Sequence, residues 1–160
     1  RVVDANDNPV IADVGIVVIA EYPYVEWTGD NAFLAVDPAD VAMINRMRER
    51  SEKLIIILLS GRPVIISDIL MTADAFVAAW LPGTEGQGVA DVLFGDKPFV
   101  GRLPYTWPRT IEQLPFDFAN LPAEGCGAPL FPFGYGLTVE DDGAAEPWLE
   151  LAAACQTGSD

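Results

Sequence analysis

Carboxylates and flat apolar rings alternate in one ten-residue stretch, Glu21-Tyr22-Pro23-Tyr24-Val25-Glu26-Trp27-Thr28-Gly29-Asp30. Two other short segments add charged groups: Ser60-Gly61-Arg62-Pro63, and Leu81-Pro82-Gly83-Thr84 followed by Glu85. Acids beside aromatic rings suit the cleavage of a glycosidic bond. The departing oxygen needs a proton from an acid whose pKa is raised by apolar surroundings. Aromatic faces also pack well against sugar rings. On residue types alone, a solvated acidic loop with its rings tucked into a core is the simpler account.

Other chemistries are closed off more firmly. The chain has no histidine, which excludes a Ser–His–Asp triad and a Cys–His nucleophile pair and argues against zinc. A cage for a hard cation in a receiver-like domain would use the acids of 21–30, but proline, tyrosine and tryptophan interrupt them. No metal and no cofactor is therefore expected. Cys126 and Cys155 lack Cys-x-x-Cys spacing, and a disulfide or two free thiols both remain open. With 24 acidic against 9 basic residues the net charge is −15, which argues against nucleic-acid and anionic-membrane partners. A neutral sugar is compatible with that charge. No apolar run, Leu54 to Leu59 included, approaches the ~20 residues that span a bilayer. Hydrophobic content of 51% with 21% charged residues indicates a folded chain of 160 residues. Arg1 opens it without a basic-then-apolar leader, which reads as a processed or truncated polypeptide and says little about export.

The elements that must position these groups alternate. Val14–Ala20 and Lys53–Leu59 read as buried strands, and Ala73–Trp80 as a third. Asp37-Pro38 starts a helix running to about Arg50, with Val41, Ile44 and Met47 on one face. Ile65–Leu70 is a short strand or a helical turn. Thr84 is expected to cap a helix from Glu85 to about Phe94, ended by Gly95. Proline and glycine recur from Pro98 to Gly136, so irregular structure should dominate there. This order predicts an α/β layered sandwich with a mostly parallel sheet flanked by helices. Three or four strands are few for such a sheet, which suggests an incomplete piece of a larger enzyme. In open parallel sheets ligands bind beyond the carboxyl ends of the strands. The three charged segments all follow strands and should gather at that edge.

The ten-residue stretch resembles the Glu-x-Pro-Tyr-x-Glu-x-x-Gly-Asp segment of family 3 glycoside hydrolases, in their β-glucosidase and exo-β-glucanase branch. Downstream and in order stand Leu58-Leu59-Ser60-Gly61-Arg62-Pro63, Ala78-Ala79-Trp80-Leu81-Pro82-Gly83-Thr84-Glu85-Gly86-Gln87-Gly88, Leu93-Phe94-Gly95-Asp96, Gly101-Arg102-Leu103-Pro104 and Pro132-Phe133-Gly134-Tyr135-Gly136-Leu137. The likeness covers about residues 12 to 138. One departure is Ala20, where a glycine often precedes the first glutamate.

The resemblance implies a retaining enzyme acting on a β-glucoside or β-glucan. Its aspartate nucleophile would lie on an N-terminal (β/α)8 barrel that this chain does not resemble. Glu26 matches the general acid/base, with Trp27, Tyr24 and Glu21 as candidate substrate-binding residues. Residues 1–138 would form a C-terminal α/β sandwich domain lacking its N-terminal part, and 139–160 a linker or helical tail. A secreted or periplasmic location is expected. The rival reading is a non-catalytic carbohydrate-binding or interaction domain of the same fold.

Overall fold

The computed structural model describes residues 10–141 together with 150, 154 and 155. Strands β1 (Ala12–Ala20), β2 (Ser51–Leu59) and β3 (Ala75–Trp80) pair in parallel, in the order β1-β2-β3. The three apolar runs thus form adjacent parallel strands, as their spacing predicts. The register sets Val17 against Ile56 and Ile57 against Val77. A shift at Leu58/Leu59 pairs Leu59 with Trp80, whose φ of 54° lies in the left-handed region.

Helix α1 (Pro38–Arg48) follows from its sequence closely. Asp37 accepts the Ala39 amide at 2.7 Å, Pro38 occupies the first turn, and Arg46 and Arg48 meet the negative end of the helix dipole. Ile44 is fully buried against the sheet, with Val41 and Met47 packed on the same core. Ile65–Leu70 takes the helical alternative: α2 spans Ser67–Leu70, while Ile65 makes only an isolated bridge to Ala35. Helix α3 covers Gly86–Leu93. Its N-cap is Glu85 rather than Thr84, and no side chain caps it. The Glu85 amide donates to the Pro82 carbonyl at 3.0 Å, so a turn holds Thr84 one residue short of the capping position. Gly95, at φ 86°, follows the helix as expected.

The strand period of two sorts the sheet into unequal faces. Val17 and Ile19 of β1, with Leu54, Ile56 and Leu58 of β2, are buried under α1. Val64, Ile66, Ile69, Leu70, Trp107 and Leu130 extend this core, each such side chain contributing about 1.5–3 kcal/mol. The Trp107 indole donates to the Val64 carbonyl at 2.8 Å and so binds the irregular later segment to the sheet. On the other face Val14, Ile16 and Val18 are 50%, 39% and 51% exposed. Among the described residues β1 is also an edge of the sheet.

Cys126 and Cys155 form a disulfide across 29 residues, which decides between the two alternatives the sequence leaves open. Closing a loop of that length removes unfolded-state freedom worth about 3–4 kcal/mol in the chain-entropy account. The reading of 139–160 as linker or helical tail otherwise falls largely on residues outside those described.

At the amino end of β3, Asp74 gathers Arg48 at 2.6 Å, Lys53 at 2.9 Å and the Leu54 amide at 2.8 Å. Hydrogen bonds from Lys53 and Arg48, then from the Leu54 amide, hold its carboxyl well below the usual carboxylate range. Its folded pKa is thus lower than its unfolded one, near ~3.9. The stabilisation is therefore complete above pH ~4 and is lost as pH falls towards the folded value. Asp74→Asn should lower stability at pH 7 by about 1–2 kcal/mol, partial exposure discounting the ion pairs. Urea unfolding at pH 7 should show this gap, and the gap should shrink steadily as the pH is lowered below ~4.

Candidate functional site

Two backbone bonds set the carboxyl ends of the strands side by side. The Glu21 amide donates to the Leu59 carbonyl at 3.0 Å and the Ser60 amide to the Trp80 carbonyl at 3.1 Å. The loops 21–30 and 60–63 therefore leave neighbouring strands together, at the edge where ligands bind in open parallel sheets.

Their side chains interlock. Arg62 donates through Nε and Nη2 to Glu21 Oε1, at 2.9 and 2.8 Å, and through Nη1 to the Gly29 carbonyl. The Tyr24 hydroxyl donates to Glu21 Oε2 at 3.1 Å, and the Arg62 guanidinium lies 4.3 Å from the Tyr24 ring centre. That is a cation–π contact. Burial and then the bond to Glu21 raise the Tyr24 pKa, so the phenol remains a donor. Tyr24 also explains two glycines. A Cβ at Gly29 would collide with the Tyr24 ring, and one at Gly61 would lie 2.8 Å from its hydroxyl oxygen.

Glu26 opens a 3-10 turn, Glu26–Gly29, that follows Tyr24. Its φ of 47° places a non-glycine residue in the left-handed region, at a cost of about 1–3 kcal/mol that surrounding contacts must sustain. The Thr28 hydroxyl donates to the Val25 carbonyl and the Asp30 amide to the Trp27 carbonyl, closing the turn. Glu26 is exposed, and Trp27 is 78% exposed. Among the described residues no hydrogen bond or ion pair holds the Glu26 carboxylate.

Beside the turn lies a cleft of about 660 Å³, lined in part by Glu21, Tyr22, Tyr24, Asp30, Phe33 and Arg62. Glu26 and Trp27 stand outside this lining. Asp40, also on the wall, has its pKa raised by burial and then by the nearby Asp37 charge. Asp40 carries no signal in the sequence beyond its place in the first turn of α1. The Gly29–Tyr24–Gly61 packing is equally silent there, because contact between the two loops depends on strand order. Of the third segment, Leu81 reaches the site, 3.5 Å from a Cβ built at Gly61. Glu85 instead lines a separate cleft of about 380 Å³ with Val77, Ala79, Val89 and Val92. No group of three or more metal-ligating side chains occurs among the described residues.

The chain is similar to many known proteins, three of which show the range. It is 35% identical over 130 residues to a lysosomal beta glucosidase of Dictyostelium discoideum, covering 79% of this chain and 16% of that one. With a periplasmic beta-glucosidase of Salmonella typhimurium it shares 28% identity, over 87% of this chain and 21% of the relative. The crystal structure of a variant exo-1,3/1,4-beta-glucanase from a Pseudoalteromonas species superposes with a TM-score of 0.72 at 40% identity, covering 81% of this chain and 22% of that one. The chain thus spans about a fifth or less of each of these proteins' length. The model of the glycosyl hydrolase family 3 C-terminal domain matches residues 2–139, and the chain belongs to that family.

Proposed function

We propose that this chain is the C-terminal α/β domain of a retaining, exo-acting β-glucosidase or β-glucanase, and that Glu26 is its general acid/base. The observation that carries the reading is the state of Glu26. It is an exposed carboxylate, unpartnered among the described residues, on a residue with left-handed backbone that opens a 3-10 turn in the loop after β1. A side chain held that way can meet chemistry brought by another domain. The nucleophile would come from an N-terminal (β/α)8 barrel outside this chain, with the two carboxyl groups ~5–5.5 Å apart across the bond to be cut. Glu26 would protonate the leaving oxygen and later deprotonate the attacking water.

Trp27, exposed beside Glu26, would offer its face to a sugar ring, with Tyr24 and Glu21 in the adjoining cleft wall. The names of the relatives support a β-linked sugar substrate, and residues 139–160 would be a linker or an appended helical tail. The Cys126–Cys155 disulfide supports a secreted or periplasmic location, since such bonds persist in oxidising compartments.

In the enzyme that joins this chain to its barrel, proton NMR of early hydrolysis should show the β-anomer forming before mutarotation. The α-anomer appearing first would contradict retention. Binding of sugar without hydrolysis would favour a non-catalytic carbohydrate-binding domain of the same fold.

A further inference from the structure

We infer that Arg62 is a positioning residue, setting the reach of Glu26 by clamping both ends of its loop; this rests on Glu26 being the acid/base. One guanidinium bonds Glu21, five residues before Glu26, and the carbonyl of Gly29, three residues after it. It also lies over Tyr24, whose hydroxyl returns to the second oxygen of Glu21. Both oxygens of Glu21 are thereby engaged, and its side chain is only 15% exposed. The clamp closes around the left-handed residue without touching its carboxylate. A backbone in that region persists only where its surroundings over-determine it. Here the loop's own bonds, Thr28 to Val25 and Asp30 to Trp27, are joined by a guanidinium that comes from the turn after β2.

The seat of Glu26 therefore depends on a group that makes no bond to the Glu26 carboxylate itself. Lysine at 62 would keep the charge but lose the planar fork that serves a carboxylate and a carbonyl together. The loop would then relax while the sheet beneath it, built on Val17, Ile19, Ile56 and Leu58, stayed packed. A displacement of ~1 Å in a catalytic group can cost ~10²-fold in rate.

The test uses the whole enzyme and compares an unactivated β-linked disaccharide with an aryl glycoside whose leaving group departs unaided. Arg62→Lys should lower kcat on the disaccharide by ~10–100-fold, with far less effect on glycosylation by the aryl substrate. KM should change little. In a Glu26→Gln background the same substitution should have almost no further effect, because the proton it positions is already absent. Glu21→Gln, which keeps the shape and the bond from Arg62 to Gly29, should give a smaller loss with the same substrate pattern. It carries the test if Arg62→Lys fails to fold. Equal losses on both substrates, or full additivity with Glu26→Gln, would make Arg62 merely structural and overturn the inference. If Glu26→Gln alone were near wild type on the disaccharide, the reading of Glu26 itself would fall, an outcome separate from the clamp.

Discussion

Glu26→Gln is expected to lower kcat on an unactivated β-linked glucose disaccharide by about 10²–10⁴. Glutamine keeps the shape of the side chain and its hydrogen-bonding reach but has no proton to transfer. A sugar alkoxide is a poor leaving group, so the glycosylation step should slow in proportion to the lost proton. Aryl glycosides with acidic phenols leave without help, and their glycosylation should stay nearly normal. Their second step still needs a base to activate water. The glycosyl-enzyme should therefore accumulate, seen as a burst of phenol followed by slow turnover. Because Glu26 is exposed and unpartnered among the described residues, its replacement should leave the fold intact, with an unfolding midpoint close to wild type. Near-normal activity on the disaccharide would refute the assignment and make Glu21 the next residue to test.

The second large effect concerns the chain by itself. Val14, Ile16 and Val18 form an apolar stripe on one face of an edge strand, and among the described residues β1 pairs only with β2. Parallel sheets are ordinarily covered on both faces. Exposed edges and apolar stripes also invite association. Expressed alone, these 160 residues should be poorly soluble, bind a hydrophobic dye and unfold without a sharp transition. Val18→Lys should improve solubility in isolation yet weaken assembly with the rest of the enzyme, since it would put a charge where a covering element must pack. A monomeric, cooperatively unfolding wild-type chain would count against this.

The parallel sheet was legible because strands and helices alternate in apolar period and because Asp37-Pro38 and Gly95 mark helix ends. Ile65–Leu70 was ambiguous because a short apolar run fits either period, and tertiary packing chose the helical turn at Ser67–Leu70. Thr84 misled because capping propensity is local, whereas the turn from Pro82 to Glu85 fixes where α3 can begin. At the candidate site the chemical types and the strand ends were readable. The contacts were not: Arg62 lies 41 residues from Glu21, and their pairing follows from the neighbouring positions of β1 and β2. The left-handed backbone at Glu26 was hidden for another reason. Nothing in a glutamate signals positive φ, as a glycine would. The separation of Glu85 from the other acids was likewise invisible, because it depends on the tertiary fold, which puts Glu85 in one cleft and Glu21 and Asp30 in another.

In the proposed reaction Glu26 supplies the proton and the base, not the nucleophile. The most direct measurement is the configuration of the product formed by Glu26→Ala enzyme from an activated aryl β-glucoside in the presence of azide. Azide is an anion that needs no base. It should enter the space left by the carboxylate, attack the anomeric carbon of the glycosyl-enzyme and displace the barrel carboxylate. Two inversions then yield the β-glycosyl azide, with turnover rising as azide is added. Formation of the α-glycosyl azide, through one direct displacement, would make Glu26 the nucleophile, and no response to azide would remove it from the reaction.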